Sequence, residues 1–186
     1  NNGKIDSKDK VLVIGSGGLG LSISIGAKYL GAKLIYALDK NNKNLKTAKN
    51  IGVKTFNLNK KQSIKKRLKG IFNKVFITAT YEKNIELALL LAAKNSKIFM
   101  IGVPSPDVNF RVNALEVHRG KSLLTSIGGD ILPEIDIPNY LKYCQSGKIK
   151  FQKIILNIFT PDKANFVFKK MAKGHMTEGR NLIKFN

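Results

Sequence analysis

Val11-Leu12-Val13-Ile14, followed by Gly15-Ser16-Gly17-Gly18-Leu19-Gly20, is the stretch from which the fold is read. Four consecutive apolar residues, three of them β-branched, read as a strand buried on both faces. The segment after the glycines carries Ile23, Ala27 and Leu30 at helical spacing and stops at Gly31, so it reads as a helix. Between the two, glycine serves three ends: a tight turn, close approach of a phosphate to the backbone, and close packing of helix on strand. Free N–H groups and the positive end of the helix dipole then face an anion.

A second apolar run, Leu34 to Leu38, ends at Asp39, nineteen residues beyond Gly20. A carboxylate there accepts hydrogen bonds from a ribose 2′-hydroxyl and repels a 2′-phosphate, which points to NAD over NADP. The competing account of Asp39 is an ordinary turn or helix-capping acid.

Further strands are expected at Lys10 to Ile14, Lys54 to Asn57, Val75 to Ala79, Ile98 to Ile101 and Leu123 to Ile127. Helices are expected at Gly18 to Leu30, Asn42 to Ile51, Ser63 to Leu68 and Glu82 to Ala93, with Gly31, Gly52 and Gly70 as C-terminal stops. Alternation with short links predicts an α/β fold: a doubly wound parallel sheet of about six strands with helices on both faces. Ligands then bind at the carboxyl ends of the strands. After Gly129 the pattern changes. Ile137, Tyr140, Leu141 and Cys144 share one helix face, which makes Cys144 a core residue. Thr160-Pro161 opens another helix with Ala164, Val167, Phe168 and Met171 inward, and Asn181 to Phe185 forms a last strand.

The chain has 186 residues, 43% of them hydrophobic, which is enough for one sizeable core. Its longest apolar stretch, Leu87 to Ala93, is far below membrane-spanning length, and no signal peptide is read. One cysteine excludes an internal disulfide and fits the cytoplasm. The net charge of +21 invites a nucleic-acid reading. Against it, only Arg67, Arg111, Arg119 and Arg180 are arginines, and the lysines scatter over every expected helix without aromatic platforms. Neither nucleic acid nor membrane is expected as a partner. His118 and His175 stand in expected loops, and no cysteine, histidine or carboxylate set has metal-ligand spacing. The residues therefore offer a cofactor site and no reaction centre.

Taken in order, VLVIGSGGLGLSISIGAKYLGAKLIYALDKN (11–41), KIFMIGVP (97–104), LLTSIGGD (123–130) and KKMAKGHMTEGRNLIKF (169–185) resemble the medium-chain dehydrogenase/reductase family of zinc-type alcohol dehydrogenases. The resemblance covers essentially the whole chain. It implies a Rossmann NAD-binding domain over residues 1–130, and a C-terminal segment, 131–186, that packs back on a GroES-like catalytic domain. That domain, with its zinc ligands and most of the substrate pocket, has no counterpart here, so the chain is expected to be the cofactor half of a larger enzyme.

By position, the resemblance puts Gly15, Ser16, Gly17, Gly18, Leu19 and Gly20 on the pyrophosphate, and Asp39 with Lys40 on the adenosine ribose. Ala79, Thr80 and Tyr81 would line the adenine side, and Ile101, Gly102 and Val103 would flank the nicotinamide. Thr125 and Ile127, with Ser126 between them, would fix its carboxamide, and Arg180 would reach the pyrophosphate. Asn44 departs by standing where some relatives have a lysine, and Tyr81 by standing where the common Ala-Thr-Gly sequence has glycine. The implied activity is NAD-dependent hydride transfer with a small alcohol, aldehyde or ketone, in a homo-oligomer formed along the Leu123 to Ile127 edge. A stand-alone, non-catalytic dinucleotide-binding module is the alternative.

Overall fold

The computed structural model describes residues 3–126, 128–176 and 178–185. Eleven elements come first: β1 (Lys10–Ile14), α1 (Gly18–Tyr29), β2 (Leu34–Asp39), α2 (Asn42–Asn50), β3 (Lys54–Asn57), α3 (Lys61–Leu68), β4 (Phe72–Ile77), α4 (Glu82–Leu91), β5 (Ala92–Met100), α5 (Ala114–His118) and β6 (Ser122–Thr125). The six strands form one sheet in the order β3-β2-β1-β4-β5-β6, and every pairing is parallel. This is the doubly wound Rossmann arrangement, with the chain reversing direction across the sheet between β1 and β4.

The central strand explains why the sheet forms. Val11 to Ile14 have no exposed surface at all. Val11 and Val13 face a cluster with Ala27, Phe76 and Phe99, while Leu12 and Ile14 face a larger one with Leu38, Ile64, Val75, Ile77 and Ile85. A strand covered on both sides needs no polar alternation, hence its uninterrupted apolar run.

Boundaries shift where tertiary contacts override the local pattern. β4 starts three residues early because Phe72 is fully buried, edge-on to Tyr36 at 5.7 Å. Helix α4 ends at Leu91, because Ala92 is already extended (φ −69°, ψ 139°) and opens β5. The register between β4 and β5 then jumps from Phe72↔Ala92 to Lys74↔Lys97, with Asn95 in the left-handed region at φ 56°. The short α5 ends at His118, where the sequence predicts a loop. There Glu116 accepts from Arg119 Nη1 at 2.9 Å and pairs with Lys121; the Lys121 hydrogen bond, foremost, holds its carboxyl below the usual range.

Beyond the sheet lie α6 (Pro133–Gln145), β7 (Ile155–Phe159), α7 (Ala164–Ala172) and β8 (Arg180–Ile183), with β7 and β8 paired in parallel. Strand β7 is absent from the sequence reading. Its side chains are apolar on both faces except Asn157, so it lacks the alternation that marks a half-buried strand.

Two expected core faces need correction. On α6, Cys144 is half-buried against the cluster of Leu21, Ile51 and Ile149, but Ile137, Tyr140 and Leu141 are exposed. On α7 only Val167 is fully buried, at 3% exposure; Phe168, at 64%, and Met171 stand out to solvent. Helix periodicity predicted one inward stripe, and the elements available within this chain cover only part of it.

Candidate functional site

At the carboxyl end of β1 the chain makes a turn that only glycine fits. Gly15 has φ 96°, and a Cβ there would overlap Thr78 Oγ1. A Cβ at Gly20 would overlap the carbonyl oxygen of Gly15. The Gly15 N–H donates to Leu38 O at 2.8 Å, and Thr78 Oγ1 donates to Gly15 O at 3.0 Å, which pins the turn to β2 and to the end of β4. Helix α1 starts without a side-chain cap and has no acid in its first turn, so its leading N–H groups are left for an anion. Leu19 is exposed on the outside of the turn.

Asp39, the last residue of β2, is 8% exposed and faces this turn. Its Oδ2 accepts from Ser16 N at 2.7 Å and from Asn44 Nδ2 at 3.0 Å, and its Oδ1 accepts from Asn41 N at 2.8 Å. Asn41 caps α2 through Lys43 N. No ion pair to Asp39 occurs among the described residues, so neutral donors alone hold the carboxylate. Two buried polar atoms next to it, Ser16 Oγ and Asn44 Oδ1, make no hydrogen bond. Each orphan of this kind costs about 1–3 kcal/mol.

The other candidate residues sit along the same edge. Thr80 is buried, and its hydroxyl donates to Gly102 O at 2.6 Å, joining the ends of β4 and β5. A Cβ at Gly102 would lie 2.8 Å from that hydroxyl oxygen, so close approach requires the glycine. Ala79 is half-buried, its carbonyl accepting from Asn84 Nδ2 at 2.7 Å. Tyr81 is 65% exposed at the N-cap of α4. Ile101 continues the ladder to Ile77 O at 2.9 Å, and Val103 projects fully into solvent. Thr125 ends β6 opposite Met100 and is exposed, as is Lys40, while Ser126 is half-buried. Ile127 lies outside the described residues.

Arg180 is far away in sequence but arrives at the turn. A Cβ on Gly18 would come within 2.7 Å of Arg180 Cδ and Nε and 2.6 Å of Gly179 O. The tail is thus laid over the first turn of α1, and Lys43 pairs with Glu178 at 3.7 Å beside it. The edge therefore gathers Gly15 to Gly20, Asp39, Thr80, Gly102 and Arg180. Thr78, Asn41 and Asn84 were missed by the sequence reading; each acts through hydrogen bonds whose partners are set by the fold. No group of three or more histidines, cysteines or carboxylates able to hold a metal occurs among the described residues. No helix among the described residues is long and apolar enough to cross a membrane.

Sheet order, glycine turn and acid together define a nucleotide-cofactor domain of Rossmann type. The sequence profile of the family described as zinc-binding dehydrogenase matches residues 18–146, and the chain belongs to that family. It is similar to alcohol dehydrogenase 1 of Pisum sativum, with 25% identity over 172 residues, covering 88% of this chain and 45% of that protein. Against alcohol dehydrogenase class-P of Arabidopsis thaliana it is 25% identical, covering 94% of this chain and 48% of the relative. Among solved structures, benzyl alcohol dehydrogenase from Acinetobacter calcoaceticus shares the fold at a TM-score of 0.88 and 23% identity, covering 99% of this chain and 52% of that one. An Escherichia coli alcohol dehydrogenase solved with its cofactor NADH superposes at a TM-score of 0.83 and 21% identity, covering 99% of this chain and 54% of its own. The chain spans about half the length of the relatives it matches.

Proposed function

We propose that the chain holds NAD(H) for a dehydrogenase acting on a small alcohol or on the corresponding aldehyde or ketone. The observation that carries this reading is Asp39, a buried acid tied to Ser16 N of the glycine turn, where it can read a ribose next to a phosphate cradle. The residues present fit the cofactor. Three glycines stand where a Cβ would fill the cradle or displace its walls, and the helix end behind them is uncapped.

Bound nicotinamide supplies hydride transfer. The chain's own residues bind and orient the dinucleotide. Gly15 and Ser16 shape the turn while the N–H groups at its α1 end, from Gly17 to Gly20, take the pyrophosphate, and Arg180 adds a charge-assisted contact from the tail. Asp39, with Lys40 beside it, receives the adenosine ribose, and its charge rejects a 2′-phosphate. Ala79, Thr80 and Tyr81 border the adenine side. Ile101, Gly102 and Val103 flank the nicotinamide, and Thr125, Ser126 and Ile127 fix its carboxamide. The Thr80–Gly102 bond keeps these two walls at a set spacing.

Residues 1–130 form the cofactor domain, and segment 131–186 packs on a catalytic half that supplies zinc and the substrate pocket. Apolar side chains left exposed on α6, β7, α7 and β8 support that division. The edge of β6 is the surface for self-association, and one cysteine suits the cytoplasm.

Calorimetry tests the reading. NADH should bind the chain at least about tenfold more tightly than NADPH, the scale of one charge-assisted contact. Equal affinities, or a preference for NADPH, would refute it.

A further inference from the structure

We propose that Asn44 sets how Asp39 reads the ribose by saturating one oxygen of Asp39, so that the carboxylate offers the ribose a single acceptor position. The inference rests on the reading of Asp39 as the ribose acid. A carboxylate has about four lone-pair sites, two on each oxygen. Oδ2 spends both of its own, on Ser16 N and Asn44 Nδ2, and Oδ1 spends one on Asn41 N. One position on Oδ1 remains for a ribose hydroxyl.

Asn44 serves the site at the expense of packing. It is 5% exposed, and its Oδ1 meets no donor, so the amide is held by the carboxylate alone. A leucine would fill a similar volume without burying an unmatched acceptor. Asn44 also brings no charge. With three neutral donors and no cation in ion-pair range among the described residues, Asp39 keeps its whole negative charge for repelling a 2′-phosphate. Asn44 is thus a positioning residue: it fixes the carboxylate plane without muting its charge.

Two measurements test this. Unmodified chain is titrated with NADH and with analogues lacking the adenosine 2′- or 3′-hydroxyl. A single acceptor position predicts unequal losses: on the order of tenfold or more for one analogue and under about threefold for the other, the difference of one hydrogen bond to a charged group. Equal losses overturn the proposal. The second uses Asn44→Leu, whose melting temperature should not fall. Losing the amide frees a second acceptor position on Asp39, so in this variant the two analogues should lose affinity nearly equally. An unchanged disparity between the analogues overturns the proposal while leaving the NAD reading intact. Failure of the unmodified chain to bind NADH defeats the NAD reading itself and this proposal with it. Should Asn44→Leu not fold, the analogue series on the unmodified chain decides alone.

Discussion

Gly18 and Arg180 form one device although 162 positions separate them in the chain numbering. The glycine leaves room for the arginine and for Gly179 O to lie against α1. Gly18→Ala should therefore push the tail off the turn. We expect NADH affinity to fall by about tenfold in Gly18→Ala and similarly in Arg180→Gln, with the double variant no worse than either alone. Additive losses in calorimetry would show that the two act separately. Asn44 illustrates what sequence can and cannot say at this scale. Its position five residues after Asp39 is plain in the chain, but its amide bond to Oδ2 depends on how β2 and the first turn of α2 meet. Gly15, Gly20 and Asp39 were legible because glycine and a strand-end acid each have few physical roles in such a place.

Each element's legibility followed its burial. β1 and β2 were read almost to the residue, since their apolar runs end at Gly15 and Asp39; β3, half-buried, was placed by its short Thr-Phe step after Gly52. β7 was not, because Leu156 and Ile158 are exposed on one face while Ile155 and Phe159 are half-buried on the other. Five-residue α5 is too short to show a period. The strength of β1 as an element can be measured. Leu12 is fully buried in the largest cluster, so Leu12→Ala should destabilise the chain by about 2–5 kcal/mol, read from urea midpoints. A cost under about 1 kcal/mol would mean that the site collapses around the missing side chain.

The whole molecule joins a well-covered sheet to a poorly covered C-terminal segment. Leu156, Ile158 and Leu182 are exposed, and Ile158 and Leu182 are register partners on the two-stranded ribbon. A two-stranded ribbon is marginal without cover, so this surface calls for a partner layer. Introducing Ile158→Lys and Phe168→Lys together should reduce self-association of the isolated chain in sedimentation velocity and leave NADH affinity within about twofold. Unchanged association would leave the β6 edge as its sole surface. Charge of +21 disperses such chains in low salt and is screened beyond about 8 Å at physiological ionic strength, so the contrast is sharpest there.

Tyr81 stands 65% exposed at the head of α4, beside the Ala79–Thr80 wall, in a chain with no tryptophan. A single Tyr81→Trp replacement would give the protein one indole, placed at the mouth of the crevice. Its emission would then report occupancy of the crevice by light alone, with no competing fluorophore of its kind anywhere in the chain.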